Sequence, residues 1–449
     1  MTADDTTATP DAGAGPTQGE QGLVDPAFLP VTHPTPPPVA APGPLDGIRV
    51  VELAHPFGGF AGKLLADAGA DVIVVEPPGG AAQRTHGPFA AGHEGDPDHS
   101  LAWWADNTSK RSLTADLATE DGRALVSGLI ERVDVFLECE PPGRLAELGL
   151  GPARNLAANP RLIHVAITPF GQDAVAGSGE VTDLTLLARG GPMWSCGYDD
   201  HALPPVRGRG NQGIRTAAHF AVMSVLTGIL ARDAHGGQFI DVNMNAAANV
   251  TTEFATYTWM AAQQTVQRQT GRHATPSPSE PTQVLCGDGR YLNTGVPPRS
   301  GREFQALLDW LRELGLDEEF GLAPLLEMGT GYDLITLAML AEDDLAGEIF
   351  QCGREAMAFI AANVSAHEAF VGFQQRGVAC GVIWSADEVM QDPHFVERGF
   401  PTPVHQPQLD RDVLHPGAPI RFTASPMGIR HAAPSAGAHT DEIRKELGL

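Results

Sequence analysis

The sequence predicts an α/β fold built on a mostly parallel sheet with helices on both faces. Three observations carry the prediction. Residues 48–76 read as strand, helix and strand, with glycines punctuating each end. The same alternation continues to about residue 244, which is the pattern of a parallel sheet and its crossover helices. The chain has 449 residues, 42% of them hydrophobic and 19% charged, enough to bury a core in two or three structural units.

Residues 1–45 are rich in Pro, Thr, Ala and Gly and carry no periodic apolar face, so they predict a disordered tail. From Ile48, IRVVELA predicts a strand, GGFAGKLLADAGA a helix and DVIVVE a second strand. A helix follows in TEDGRALVSGLIERV, a strand in DVFLEC, a short helix in GPARNLAANP and a strand in RLIHVAIT. The most apolar helix, GIRTAAHFAVMSVLTGILAR, ends at HGG and leads into the strand QFIDVNM. The spacing predicts a first large unit over 46–245, a linker over 246–270, a small α+β unit over 271–375 and a return segment over 376–449. In the small unit LCGDGRYLNTG predicts a strand pair and REFQALLDWLREL a helix; ACGVIW and PIRFTA read as late strands.

Lys and Arg number 29 against 55 Asp and Glu, a formal charge of −26 that repels nucleic acid and anionic membrane surfaces. No run approaches the ~18 apolar residues of a spanning helix, and MTADDTTATPDAG lacks the basic flank of a signal peptide, so a cytoplasmic protein is expected. The five cysteines are odd in number, far apart and without CxxC, and indicate neither disulfides nor a zinc site.

Among local motifs, GRGNQG at 208–213 satisfies GxGxxG, but ALPPVR before it disfavours the strand a dinucleotide site needs. The first strand-to-helix turn, HPFGGFAG, permits close backbone approach at a helix N-terminus; it reads either as an anion or nucleotide seat or as a tight packing turn. In NTSKRS, Asn107, Lys110 and Arg111 are candidate phosphate ligands in a chain short of positive charge, or else a solvated turn. Asp183 precedes an apolar helix and reads as its N-cap or as a carboxylate facing a cleft. His219, inside the apolar helix, reads as a core or interface histidine. No GxSxG, HExxH or P-loop occurs, so a triad or zinc hydrolase has no local support.

Taken together, these segments resemble the class III CoA-transferases, the carnitine and formyl-CoA transferase group that includes the α-methylacyl-CoA racemases. The resemblance runs from about Pro44 to Leu449 and rests on PLDGIRVVELAHPFGGFAGKLLADAGADVIVVEPPGG, NTSKRSLTADLATEDGRALVSGLIERVDVFLE, LGLGPARNLAANPRLIHVAITPFGQ, ILARDAHGGQFIDVNM, GVACGVIWSADEVMQDPHFVERGF, HPGAPIRF and AHTDEIRKELGL, in order. It implies a Rossmann-like large domain made from both chain ends, a smaller α+β domain between them, and a dimer of interlocked rings. It implies acyl-CoA and a carboxylic acid as substrates, with no permanently bound cofactor. Pro56, Phe57, Gly58 and Gly59 would approach the CoA nucleotide, Pro77 stands where a basic contact is usual, and Asn107, Lys110 and Arg111 would hold the diphosphate.

The resemblance also implies an aspartate nucleophile in a G-D-x-x-x-G loop opening the long helix. No Asp or Glu occurs from His201 through Arg232; Gln212, Asn211 or Ile214 fills the slot according to the register chosen, and none can form an acyl anhydride. The racemases' Gly-His-Asp string is Val181, Thr182 and Asp183 here, which makes racemisation by two acid/base groups a poorer fit than transferase chemistry. The family's Asn-Phe pair after the third strand is Cys139 and Glu140. The leading expectation is a CoA-transferase working alone or with an Asp-bearing paralogue. Rival expectations are a non-catalytic subunit of a heteromer and a repurposed racemase-like or lyase-like enzyme with Asp183 as its base. An empty slot predicts no covalent enzyme adduct; if one forms, Asp183 is first in line.

Overall fold

The computed structural model describes residues 41–173, 180–208 and 210–448. Most of the expected tail lies outside these residues. The final part of that stretch, 41–45, is already tied to the domain: the Leu45 amide donates to the Ala68 carbonyl at 3.0 Å.

Six strands form the central sheet: β1 (Arg49–Leu53), β2 (Asp71–Glu76), β3 (Arg111–Thr114), β4 (Val135–Glu138), β5 (Ile163–Thr168) and β6 (Gln238–Asn243). Their order is β3-β2-β1-β4-β5-β6 and every neighbouring pair is parallel. The helices of this unit are α1 (Gly59–Asp67), α2 (Leu101–Asn107), α3 (Glu120–Ile130), α4 (Arg144–Glu147), α5 (Pro152–Ala158), α6 (Asp183–Gly190), α7 (Gln212–His235), α8 (Met244–Val250) and α9 (Glu253–Ala262). Successive strand side chains point to opposite faces, so Val50, Val135 and Val165 pack with Ala61 and Leu65 of α1 and Ala217 and Val225 of α7. Val51, Ile73 and Phe136 pack on the other face with Leu125 and Leu129 of α3. Helix α3 begins where Thr119 caps the Gly122 amide at 3.0 Å and Glu120 and Asp121 sit in the positive first turn.

The small unit pairs β7 (Gln267–Gln269) with β8 (Arg272–Thr275), and β9 (Gln283–Leu285) with β10 (Tyr291–Asn293). Its helices include Gly301–Glu313 and Asp344–Asn363, whose Phe304, Leu311, Ile349 and Ile360 share one core with Phe373. The chain then returns to the large unit. The His431 carbonyl accepts from the Ser109 amide at 3.0 Å, the Ser112 carbonyl from the His439 amide at 3.0 Å, and the C-terminal helix Thr440–Leu447 buries Ile443 beneath β3. The large domain is therefore built from both chain ends, as expected.

Three expectations on organisation are corrected. Residues 246–270 are no extended linker: they form most of α8, all of α9 and β7, and Trp194 reaches the Val266 carbonyl at 2.9 Å. ACGVIW belongs to the small unit, because β11 (Gly381–Val382) pairs with β10, not with the large sheet. PIRFTA forms no strand; the late pair is Pro401–Gln406 with Arg411–Pro416. The apolar-run expectation is corrected as well, since α7 is long and apolar enough by composition to cross a membrane. Its Ile214, Ala217, Ala221 and Val225 are buried in the domain core.

Candidate active site

In an open parallel sheet, ligands dock outside the carboxyl ends of the strands where the strand order reverses, which here is between β1 and β4. The loop after β1, His55–Gly59, and the loop after β4 meet there: a Cβ on Gly58 would come 3.0 Å from the Cys139 sulfur, so the pair packs this closely only because residue 58 lacks one. His55 Nδ1 accepts from the Phe57 amide at 3.2 Å, and burial pushes its imidazole down to about 4. Pro56 and Phe57 are half-buried at the rim, Gly58 and Gly59 are buried, and Pro77 is exposed at the end of β2.

The second predicted cluster turns inward. Lys110 is fully buried, and its three ammonium protons are taken by Glu52 at 2.8 Å, the Gly59 carbonyl at 2.8 Å and Asn107 at 2.9 Å. Asn107 is buried too, its amide donating to the Trp103 carbonyl at 3.1 Å. Arg111 pairs with Asp71, Glu442 and Glu446 at 2.8 to 2.9 Å. Asn107, Lys110 and Arg111, expected near the diphosphate, thus direct these donors to carboxylates, carbonyls and one another within the fold.

A third cluster forms where α6 meets α7. Asp183 lies in the first turn of α6, capped by Thr182, and is 4% exposed. Its Oδ1 accepts from the Ile214 amide at 3.0 Å, one of the free donors of the α7 N-terminus, and its Oδ2 lies 3.3 Å from the Arg207 guanidinium. The structure thus brings Asp183 together with the loop around Asn211 and Gln212. Asn211 opens α7 with φ +57°, and the Gln212 amide lies over Gly208; both are exposed. Ile214 is buried with Phe57, Phe60, Cys139 and Val181 in one apolar cluster, which joins this corner to the loop after β1.

Two arginines escape a reading of the sequence alone. Arg207 holds Asp183, and Arg215 lies 3.9 Å over the Phe60 ring while pairing with Asp106 at 2.6 Å. Arg207 ends the ALPPVR string and Arg215 follows GI, but nothing in the sequence shows which acids they meet. His219 is exposed, with its ring against Phe60, and is not a core residue.

Glu138 closes the site at the end of β4. It is 4% exposed, accepts from the Glu140 amide at 2.6 Å, and lies 3.9 Å from His164. Burial pushes its carboxyl up to about 8 and the His164 ring down to about 4. A cavity of about 880 Å³ is lined by residues between 398 and 439 and includes none of the site residues above. The candidate site is placed by the switch point of the sheet and not by this cavity.

The family model for CoA-transferase family III matches residues 45–440. The chain belongs to CoA-transferase family III. The chain is 32% identical over 416 residues to a succinyl-CoA–D-citramalate CoA-transferase of Chloroflexus aurantiacus, an alignment covering 90% of this chain and 94% of that one. It is 28% identical to a subunit of the succinyl-CoA:(R)-benzylsuccinate CoA-transferase of Thauera aromatica, covering 89% and 93%. Among solved structures, a CAIB/BAIF family protein from Brucella suis superposes with a TM-score of 0.72 at 25% identity over 90% of this chain and all of that one. The chain is accordingly a CoA-transferase, moving CoA between an acyl-CoA and a carboxylic acid.

Proposed function

We propose that this transferase exchanges CoA between a dicarboxylic acyl-CoA of the succinyl type and a second carboxylic acid, with Asp183 as the covalent carrier. The observation that carries this reading is the position of the Asp183 carboxylate at the α7 N-terminus, beside the Asn211 and Gln212 slot where the family resemblance places an aspartate. An Asp183 oxygen attacks the thioester carbonyl, the C–S bond breaks, and CoA leaves as a thiolate, giving a mixed anhydride. The thiolate then attacks the Asp183 carbonyl and releases the first acid as its carboxylate. The resulting aspartyl-CoA thioester is attacked in turn by the acceptor carboxylate, and the sequence runs in reverse. The helix N-terminus favours negative charge at this point, and Arg207 orients the carboxylate.

CoA enters along the loop Pro56–Gly59, at the carboxyl ends of β1 and β4, where its backbone amides and the Phe57 ring meet the nucleotide and Pro77 lies at the rim. The relatives named for succinyl-CoA support the substrate class. A homodimer completes the assembly.

A second reading, a non-catalytic subunit beside an Asp-bearing paralogue, draws on one observation: both Asp183 oxygens are already engaged and no acid follows in the loop. The purified chain separates the two. Incubated with succinyl-CoA and quenched with hydroxylamine, it is expected to convert Asp183 to a hydroxamate detectable by mass, and Asp183→Asn is expected to lose transfer by roughly a thousandfold or more. An unmodified wild-type mass, together with transfer activity appearing only on addition of a paralogue, would establish the subunit reading.

A further inference from the structure

We propose that His93, Asp96 and His99 bind one divalent transition-metal ion of the zinc class, outside the transferase site. The three lie in the loop between β2 and α2, and their ligand atoms all fall within 4.8 Å of one another. Two imidazoles and one carboxylate form the donor set that suits zinc and its neighbours, with solvent completing the coordination.

The backbone of this loop is fixed at a period of three. Amide donation runs from His93 to the Ala90 carbonyl at 2.9 Å, from Asp96 to His93 at 3.1 Å and from His99 to Asp96 at 2.9 Å. Gly92 and Gly95 hold the third position of the first two turns at φ +81° and +84°, the left-handed region those turns require. Asp96, followed by Pro97, then caps the third turn, its side chain accepting from the Asp98 amide at 3.0 Å. The loop is closed by donation from the Ala90 amide to the His99 carbonyl at 2.9 Å and from Leu101 to Pro88 at 2.9 Å. These successive turns bring the His93, Asp96 and His99 side chains together along one side of the loop.

A second, independent observation concerns His99. It is 8% exposed; its Nδ1 pairs with an Asp96 oxygen at 2.9 Å, while its buried Nε2 has no hydrogen-bond partner. A buried imidazole left in this state needs an explanation, and a metal ion supplies one. The His93 and His99 rings stack at 3.7 Å with planes 9° apart. Zinc–ligand bonds of ~2.0 to 2.1 Å require the nitrogens to converge by on the order of 1 Å, which side-chain torsions provide while the loop backbone stays closed. The bound ion would brace the loop that anchors α2, since Trp104 donates its indole N–H to the Asp98 carbonyl at 3.0 Å.

The test uses the untagged full-length chain, stripped with chelator and titrated with Zn²⁺ by calorimetry, beside the double variant His93→Ala, Asp96→Asn. His93 is half-buried, Asp96 is exposed, and asparagine preserves the turn cap, so the variant is expected to keep its fold and its CoA-transfer rate. One Zn²⁺ per chain is expected for the wild type, with affinity falling at least about a hundredfold in the variant, and Zn²⁺ is expected to raise Tm only in the wild type. Absence of saturable binding would overturn the proposal. So would equal affinity in both proteins, because the ion would then sit elsewhere among the 16 histidines.

Discussion

At the level of single residues, Glu138 and Lys110 show how burial decides what a charged side chain does. The Glu138 carboxyl loses its proton near 4.5 in the unfolded chain and near 8 in the fold, chiefly because burial penalises the anion. Between those values the folded protein holds a proton the unfolded chain has released, so stability falls as pH rises from about 4.5 to about 8 and then levels off. His164 acts in the opposite sense over another window. Its ring stays neutral in the fold down to about 4, against 6.5 for an imidazole in the unfolded chain, so its contribution is lost as pH falls through that range. Glu138→Gln removes the first slope and leaves the second. Urea midpoints measured from pH 5 to 8 are expected to fall for the wild type relative to the variant; parallel curves would refute the raised carboxyl. The site residues are legible in the sequence to different degrees. Asp183 and the Asn211–Gln212 loop stand out, because a carboxylate before an apolar helix and a departure from the family loop are both visible along the chain. Asn107, Lys110 and Arg111 stand out too, but the acids that Lys110 and Arg111 meet within the fold are not visible along the chain. Glu52, which neutralises Lys110, lies 58 positions away, and Asp71, which neutralises Arg111, lies 40 away.

Among the elements, the Lys110 ammonium is a three-way tie between β1, α1 and the turn before β3. It reaches Glu52 on β1, the first carbonyl of α1 at Gly59, and Asn107 at the end of α2. Gly62 is what lets α1 lie this close, since a Cβ there would fall 1.7 Å from a Glu52 oxygen. Lys110→Met fills similar volume but leaves the buried Glu52 without its cation, and is expected to cost about 3 to 5 kcal/mol of stability. Chemical denaturation measures this directly. A variant of unchanged stability that had lost CoA affinity would instead restore the phosphate-ligand role. The elements themselves are largely readable. Five strands of the large sheet are legible because they are short and largely apolar, and α7 because its apolar run ends at HGG; β3, the polar RSLT, is not. The late segments are not. PIRFTA has the alternation of a strand but no partner, while PTPVHQ and RDVLHP, rich in proline and charge, form a hairpin by pairing with each other. Pairing is a tertiary fact that alternation along one segment does not contain.

For the whole molecule, the question is what covers the second face of α7. Leu230 is 85% exposed and Met223 56%, and nearby in the chain α9 leaves Met260 72%, Tyr257 67% and Phe254 62% exposed. Apolar surface on this scale, in a protein of net charge −26, is of the kind that marks protein–protein interfaces. A second copy of the chain is the occupant that fits the dimer implied by the family resemblance. It also accounts for why α7 has the composition of a spanning helix while only one of its faces is buried in the domain. If the two copies are threaded through each other, separation requires unfolding, and no folded monomer exists at any concentration. Light scattering is therefore expected to give a dimer mass that persists down to nanomolar protein, and a chain lacking residues 1–40 is expected to behave identically, because that stretch is rich in Pro, Thr, Ala and Gly and carries no periodic apolar face. Leu230→Glu places a charge on the proposed interface without touching the buried face of α7, and is expected to lower the yield of folded protein instead of producing a stable monomer. A soluble, active monomer from that variant, or from dilution of the wild type, would show that the copies meet face to face without interlocking.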